Sequence, residues 1–146
     1  MRSTTDEVAP HHSDIRLTLP ARAENVAVVR HVLGAMSEAL GLPRDLNNDV
    51  RLAVTEACTN VVRHAYAGGD GSIDVVVRST GGELELVVAD NGRGAAPSPD
   101  TAGPGYGLPL IEALSDSVEI ESSANAGSRL TMRFRRPHRT PAMGFA

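Results

Sequence analysis

A chain of 146 residues with 41% hydrophobic and 22% charged residues has the size of one domain and can bury a single substantial core. A formal net charge of −4, with two Tyr, two Phe and no Trp, argues against direct nucleic-acid binding, because phosphate backbones attract basic surfaces and bases stack on aromatic rings. Cys58 is the single cysteine, which excludes an internal disulfide and suits a reducing compartment, and no apolar run approaches the roughly 18 residues of a membrane span. The core is therefore expected to be aliphatic, the protein cytoplasmic and away from membranes.

Residues 1–12 are polar and lack the apolar centre of a signal peptide, so a flexible tail is expected there. His11 and His12 have no third ligand beside them and make a poor metal site. Ile15, Leu17 and Leu19 alternate across a strand that Pro20 closes. Val26, Val29, Leu33, Met36 and Leu40 recur at three and four residues and predict a helix over 21–40, ended by Gly41-Leu42-Pro43. Asp45 caps or opens a second helix that runs to about Tyr66 and stops in a glycine-rich breaker at 67–71. Residues 72–80 and 83–89 form a hairpin around Gly81-Gly82, with Leu84, Leu86 and Val88 on one face and Asp90 at its end. The stretch 91–106, rich in Gly, Pro, Ser and Asp, is too long a loop for a compact domain unless it has a purpose. A third helix over 106–115 places Leu108, Ile111 and Leu114 inward and holds Pro109 in its first turn. Residues 118–122 and 128–134 make a last hairpin. The cluster Arg133, Arg135, Arg136, His138 and Arg139 is a solvated strand end, and 137–146 a second flexible tail. Strand, two helices, hairpin, long loop, helix and hairpin predict one α+β domain over 13–136, a two-layer sandwich of mostly antiparallel sheet with helices on one face.

Chemistry concentrates in three stretches. At 100° per residue, Glu56, Asn60, Arg63 and His64 share one face of the second helix, beside a stripe of Val50, Val54, Ala57, Val61 and Ala65 that buries against the sheet. Asp90-Asn91-Gly92-Arg93-Gly94 follows a strand, and Gly103-Pro104-Gly105-Tyr106-Gly107-Leu108 precedes a helix. Helix N-termini present unpaired N–H groups and a positive dipole end, and glycines let the backbone approach phosphate oxygens. A Rossmann fingerprint would need a helix directly after the first glycines and a parallel sheet, and a P-loop would need Gly-Lys-Ser/Thr; neither is present. Without that lysine, phosphate charge calls for a metal. Asn60 offers one oxygen ligand, Glu56 one turn earlier could serve as a general base, and Asp90 is an acceptor for an exocyclic amine.

These residues, in this order, resemble the GHKL ATPases of Bergerat fold, and within them the small bacterial anti-sigma-factor serine kinases of the RsbW and SpoIIAB type. The resemblance spans about residues 13–136. It implies that Glu56 is the catalytic base and Asn60 the Mg²⁺ ligand of an N box, with Arg63 and His64 as polar neighbours of the nucleotide. It gives Asp90 the adenine amine, with Gly92 and Gly94 in the first glycine box. Gly103, Gly105, Tyr106, Gly107 and Leu108 form the second box at the end of an ATP lid, stiffened on both sides by Pro104 and Pro109. Gly127-Ser128 matches a small Gly-Thr box, with Ser128 in place of Thr. The domain is expected to stand alone, without the histidine-bearing helix of sensor kinases or the transducer domain of gyrase relatives. The implied activity uses Mg²⁺ and ATP to phosphorylate a serine of a STAS-type antagonist. The same protein would hold a sigma factor; its relatives form homodimers, and homodimer and monomer both stay open for this chain. The alternative is a nucleotide-binding module that sequesters a regulator without phosphotransfer.

Overall fold

The structure is a computed structural model and describes residues 13–66, 70–92, 107–123 and 127–137. In chain order the elements are β1 (Ser13–Pro20), α1 (Ala23–Leu40), α2 (Arg44–Asn60) with a π-helical turn (Val61–Ala65), β2 (Ser72–Ser79), β3 (Glu83–Asp90), α3 (Gly107–Leu114), β4 (Ser117–Ser123) and β5 (Gly127–Arg135). The strands form one sheet in the order β1-β2-β3-β5-β4, every neighbouring pair antiparallel. This is the expected α+β sandwich. The expected terminal tails lie outside the described residues, apart from Pro137.

Side chains alternate across a strand, and one set lies under the helices. Ile73, Val75 and Val77 of β2, Leu84, Leu86 and Val88 of β3, and Met132 and Phe134 of β5 are buried in one cluster with Val29 and Leu33 of α1, Val50, Val54 and Ala57 of α2, and Ile111 of α3. The opposite set carries charge: Arg16 pairs with Asp74 at 2.8 Å, and Arg133 reaches Glu85 at 3.1 Å and Glu119 at 3.4 Å. The Arg16 guanidinium, first by hydrogen bond, holds the Asp74 carboxyl below its ordinary range. Arg133–Glu85 is half-buried, and the pairs with a solvent-exposed partner, Arg16–Asp74 and Arg133–Glu119, contribute little to stability. The apolar face does that work.

The ends of the helices follow local chemistry. Gly41 adopts φ 70°, and its N–H donates to the Glu38 carbonyl while that of Leu42 donates to Ser37, a Schellman closure of α1. Asp45 does not cap α2. The cap position falls on Pro43, whose ring sets the entry angle, and the Asn47 N–H donates to its carbonyl at 2.9 Å. Asp45 instead lies in the first turn, where its charge meets the positive end of the dipole.

The larger departure is at the other end of α2. The expected single α-helix to Tyr66 is α-helical only to Asn60, and Val61–Ala65 winds as a wider π turn. A π turn takes one extra residue, so the chain beyond it is rotated relative to the course of an α-helix.

Candidate functional site

Asp90 is the last residue of β3 and lies on the core side of the sheet, 7% exposed. A buried carboxylate needs donors. The ladder places Asp90 directly opposite Ser128, whose Oγ donates to Asp90 Oδ2 at 2.6 Å. The Gly92 N–H donates to Oδ1 at 2.8 Å, an Asx turn closed two residues downstream. A one-residue slip between β3 and β5 would send Ser128 to the other face, so sheet register and carboxylate orientation are one property. Gly127, at φ 84°, lies so close that a Cβ there would overlap the Asp90 carbonyl. Only glycine serves at that position without strain. The carboxylate is thus fixed on both oxygens and keeps acceptor capacity for one further donor.

The end of α2 closes on the same corner. A Cβ at Gly92 would overlap the Ala65 carbonyl, so the last residue of the π turn rests on the backbone after Asp90. The Tyr66 hydroxyl donates to the Ser72 carbonyl at 2.7 Å and accepts the Asn91 N–H at 2.9 Å. Tyr66 and Ser72 were not among the sequence-predicted site residues. The only available signal was the position of Tyr66 directly after the polar helix face.

Glu56 and Asn60 are half-buried, one turn apart in the last part of α2. Arg63 and His64 are exposed within the π turn, where each residue advances less than 100°, so both lag behind the face that a straight α-helix would give them. Glu56 and Asn60 are therefore the better-aligned pair. On the other flank Cys58 is fully buried, and desolvation pushes its thiol up to about 12. Only the thiolate is reactive. Native protein at pH 8 is thus expected to resist alkylation at Cys58 and to label stoichiometrically once unfolded. Mass spectrometry of the alkylated chain checks this, and rapid labelling of the folded protein would contradict it.

Of the glycine boxes, Gly94, Gly103, Gly105 and Tyr106 lie outside the described residues, as does Pro104. Gly107 opens α3, with Leu108 half-buried beside it and Pro109 exposed in the first turn. Among the described residues, no group of three or more His, Cys, Asp or Glu side chains could hold a metal by itself. Among the described residues no helix is long and apolar enough to cross a membrane.

Comparison with known proteins agrees with this geometry. The family model described as a histidine kinase-like ATPase domain matches residues 19–134. A serine-protein kinase RsbW of Bacillus cereus strain AH820 is 35% identical, over 73% of this chain and 76% of the relative. The RsbW of Bacillus thuringiensis strain Al Hakam gives the same identity and coverage. A crystal structure of the RsbU and RsbW domains of a Mycobacterium tuberculosis protein superposes with a TM-score of 0.69 at 25% identity, covering 89% of this chain and 35% of that longer one. The chain belongs to the histidine kinase-like ATPase domain family and, within it, to the RsbW serine-protein kinases.

Proposed function

We propose that the protein is an anti-sigma factor with ATP-dependent serine/threonine protein kinase activity, which phosphorylates a STAS-type antagonist in a partner-switching module. The observation that carries this reading is the fixed Asp90 carboxylate at the strand end, tied through Tyr66 and Ala65 to the helix bearing Glu56 and Asn60. Asp90 accepts the adenine amine, and Ser128 and Gly92 keep its oxygens aimed. By their motifs, Gly94 is assigned to the nucleotide with the Asp90 box, and Gly103, Gly105, Tyr106, Gly107 and Leu108 to its phosphate side, with Arg63 and His64 as polar neighbours. Asn60 would hold Mg²⁺, which offsets phosphate charge when bound. Glu56 orients the incoming serine and takes the proton from its Oγ as that oxygen bonds to the γ-phosphorus and the bond to ADP breaks. The phosphoserine gains a charge of about −1.5 to −2 at neutral pH, which repels an acidic kinase and releases the antagonist. The protein works in the cytoplasm and holds either a sigma factor or the antagonist.

Nucleotide choice tests the core of this reading. An ionised Asp90 offers only acceptors, which suit the adenine amine and repel the guanine carbonyl. A charge-assisted bond contributes about 1.5–3 kcal/mol, so ATP is expected to bind at least about tenfold better than GTP. Titration calorimetry measures both. Equal affinities would remove Asp90 from base recognition.

A further inference from the structure

We propose that Tyr66 is a positioning residue for base recognition, acting through its hydroxyl bridge between Ser72 and Asn91 to set the direction of the Asp90 carboxylate. The inference rests on the reading that Asp90 recognises adenine. Asn91 and Gly92 belong to adjacent peptide units with different partners. The Asn91 N–H is held by the Tyr66 hydroxyl, and the Gly92 N–H holds Asp90 Oδ1. The two units are planar and meet at the Asn91 Cα, so freedom in the first passes to the second. The carboxylate that Oδ1 belongs to would then be oriented by Ser128 alone.

Tyr66 is itself anchored on a rigid base. Its hydroxyl donates to Ser72, the first residue of β2, and its ring lies where a Cβ at Gly71 would overlap it. The Gly71 carbonyl in turn accepts the Ala21 N–H at 2.8 Å, fixing this corner to the end of β1. The π turn gives Tyr66 its direction. Removing one residue from a helical turn rotates everything beyond it by about 100°. With Val61–Ala65 wound as an α-helix, the ring would leave Gly71 and the hydroxyl would leave Asn91. The unusual winding therefore has a specific consequence, the docking of the helix that bears Asn60 onto the corner that bears Asp90.

Tyr66→Phe removes the bridge and keeps the ring. It is expected to weaken ATP and ADP binding about tenfold while GTP affinity, which gains nothing from Asp90, stays near wild type. The preference for ATP over GTP then collapses. In phosphotransfer assays KM for ATP rises with kcat at saturation retained, and in nucleotide-free protein the Asn91 amide exchanges with solvent about tenfold faster. Gly71→Ala is the second variant, since it keeps the hydroxyl but places a methyl where the ring lies, and the same pattern is expected. A Tyr66→Phe protein with wild-type ATP preference and an equally slow Asn91 amide would overturn the role of Tyr66. So would equal losses for ATP and GTP with a lowered Tm, the mark of a merely structural residue. Wild-type protein that binds the two nucleotides alike would overturn the assignment of Asp90 instead, and that outcome is read without any variant.

Discussion

Replacing Glu56 by Gln is expected to lower phosphotransfer to the antagonist by about 10²–10⁴-fold, the usual contribution of a general base. Glutamine has the same length and a similar helix propensity, so α2 should form as before. The neighbours Ala57 and Cys58 are buried, while Glu56 is half-buried at the edge of that stripe and can take a carboxamide without a new cavity. What the variant lacks is a group that can accept the serine proton. Since Glu56 is not assigned to the nucleotide, Mg·ATP affinity and Tm should be unchanged, and the variant should still hold its sigma factor. It would bind the antagonist and fail to release itself. An unchanged transfer rate would remove Glu56 from catalysis, and a parallel loss of ATP binding would move it into the nucleotide site.

Phe134→Ala is expected to cost about 3–5 kcal/mol, the range for truncating a buried aromatic side chain. Phe134 is 1% exposed and leads the fully buried side chains in size. It sits on β5 opposite Leu84 of β3, the strand that ends at Asp90. No other fully buried side chain of the core cluster is aromatic, so none there replaces the ring. A domain typically has only about 5–15 kcal/mol to lose, so Tm should fall by on the order of 10 °C. Urea unfolding followed by circular dichroism should show a lower midpoint with an unchanged slope. A loss below about 1 kcal/mol would mean that the site collapses around the missing ring.

Much of this architecture is legible in the residues because two signals are local. Alternation at Ile73, Val75 and Val77 and at Leu84, Leu86 and Val88 marks strands with one buried face. Gly81-Gly82 makes them a hairpin. The stripe through Val50, Val54, Ala57 and Val61 marks the buried face of α2, and Glu56 and Asn60 fall beside it. The winding of 61–65 is not legible, because periodicity assumes one helical pitch. An extra residue in the last turn is set by what Ala65 and Tyr66 meet, a glycine at 92 and an amide at 91. The clasp made by Tyr66 is hidden for the same reason, since its partners are distant in sequence and are backbone groups. Asp90 and Ser128 could be picked out by their motifs, but their direct opposition depends on the pairing of β3 with β5, which skips a strand in chain order. At the start of α2, Asp45 reads as capping or opening the helix, and the structure puts it in the first turn with the cap position on Pro43.

The central claim is phosphotransfer, and it is tested most directly by incubating purified protein with Mg·ATP and the STAS-type antagonist candidates of the same cell. Mass spectrometry then reads phosphoserine. Phosphate is expected on one serine of one antagonist, dependent on Mg·ATP and reduced by at least about two orders of magnitude with the Glu56→Gln protein. No transfer to any candidate, with a sigma factor still bound in the presence of ATP, would contradict the kinase reading and leave a nucleotide-binding module that sequesters its partner.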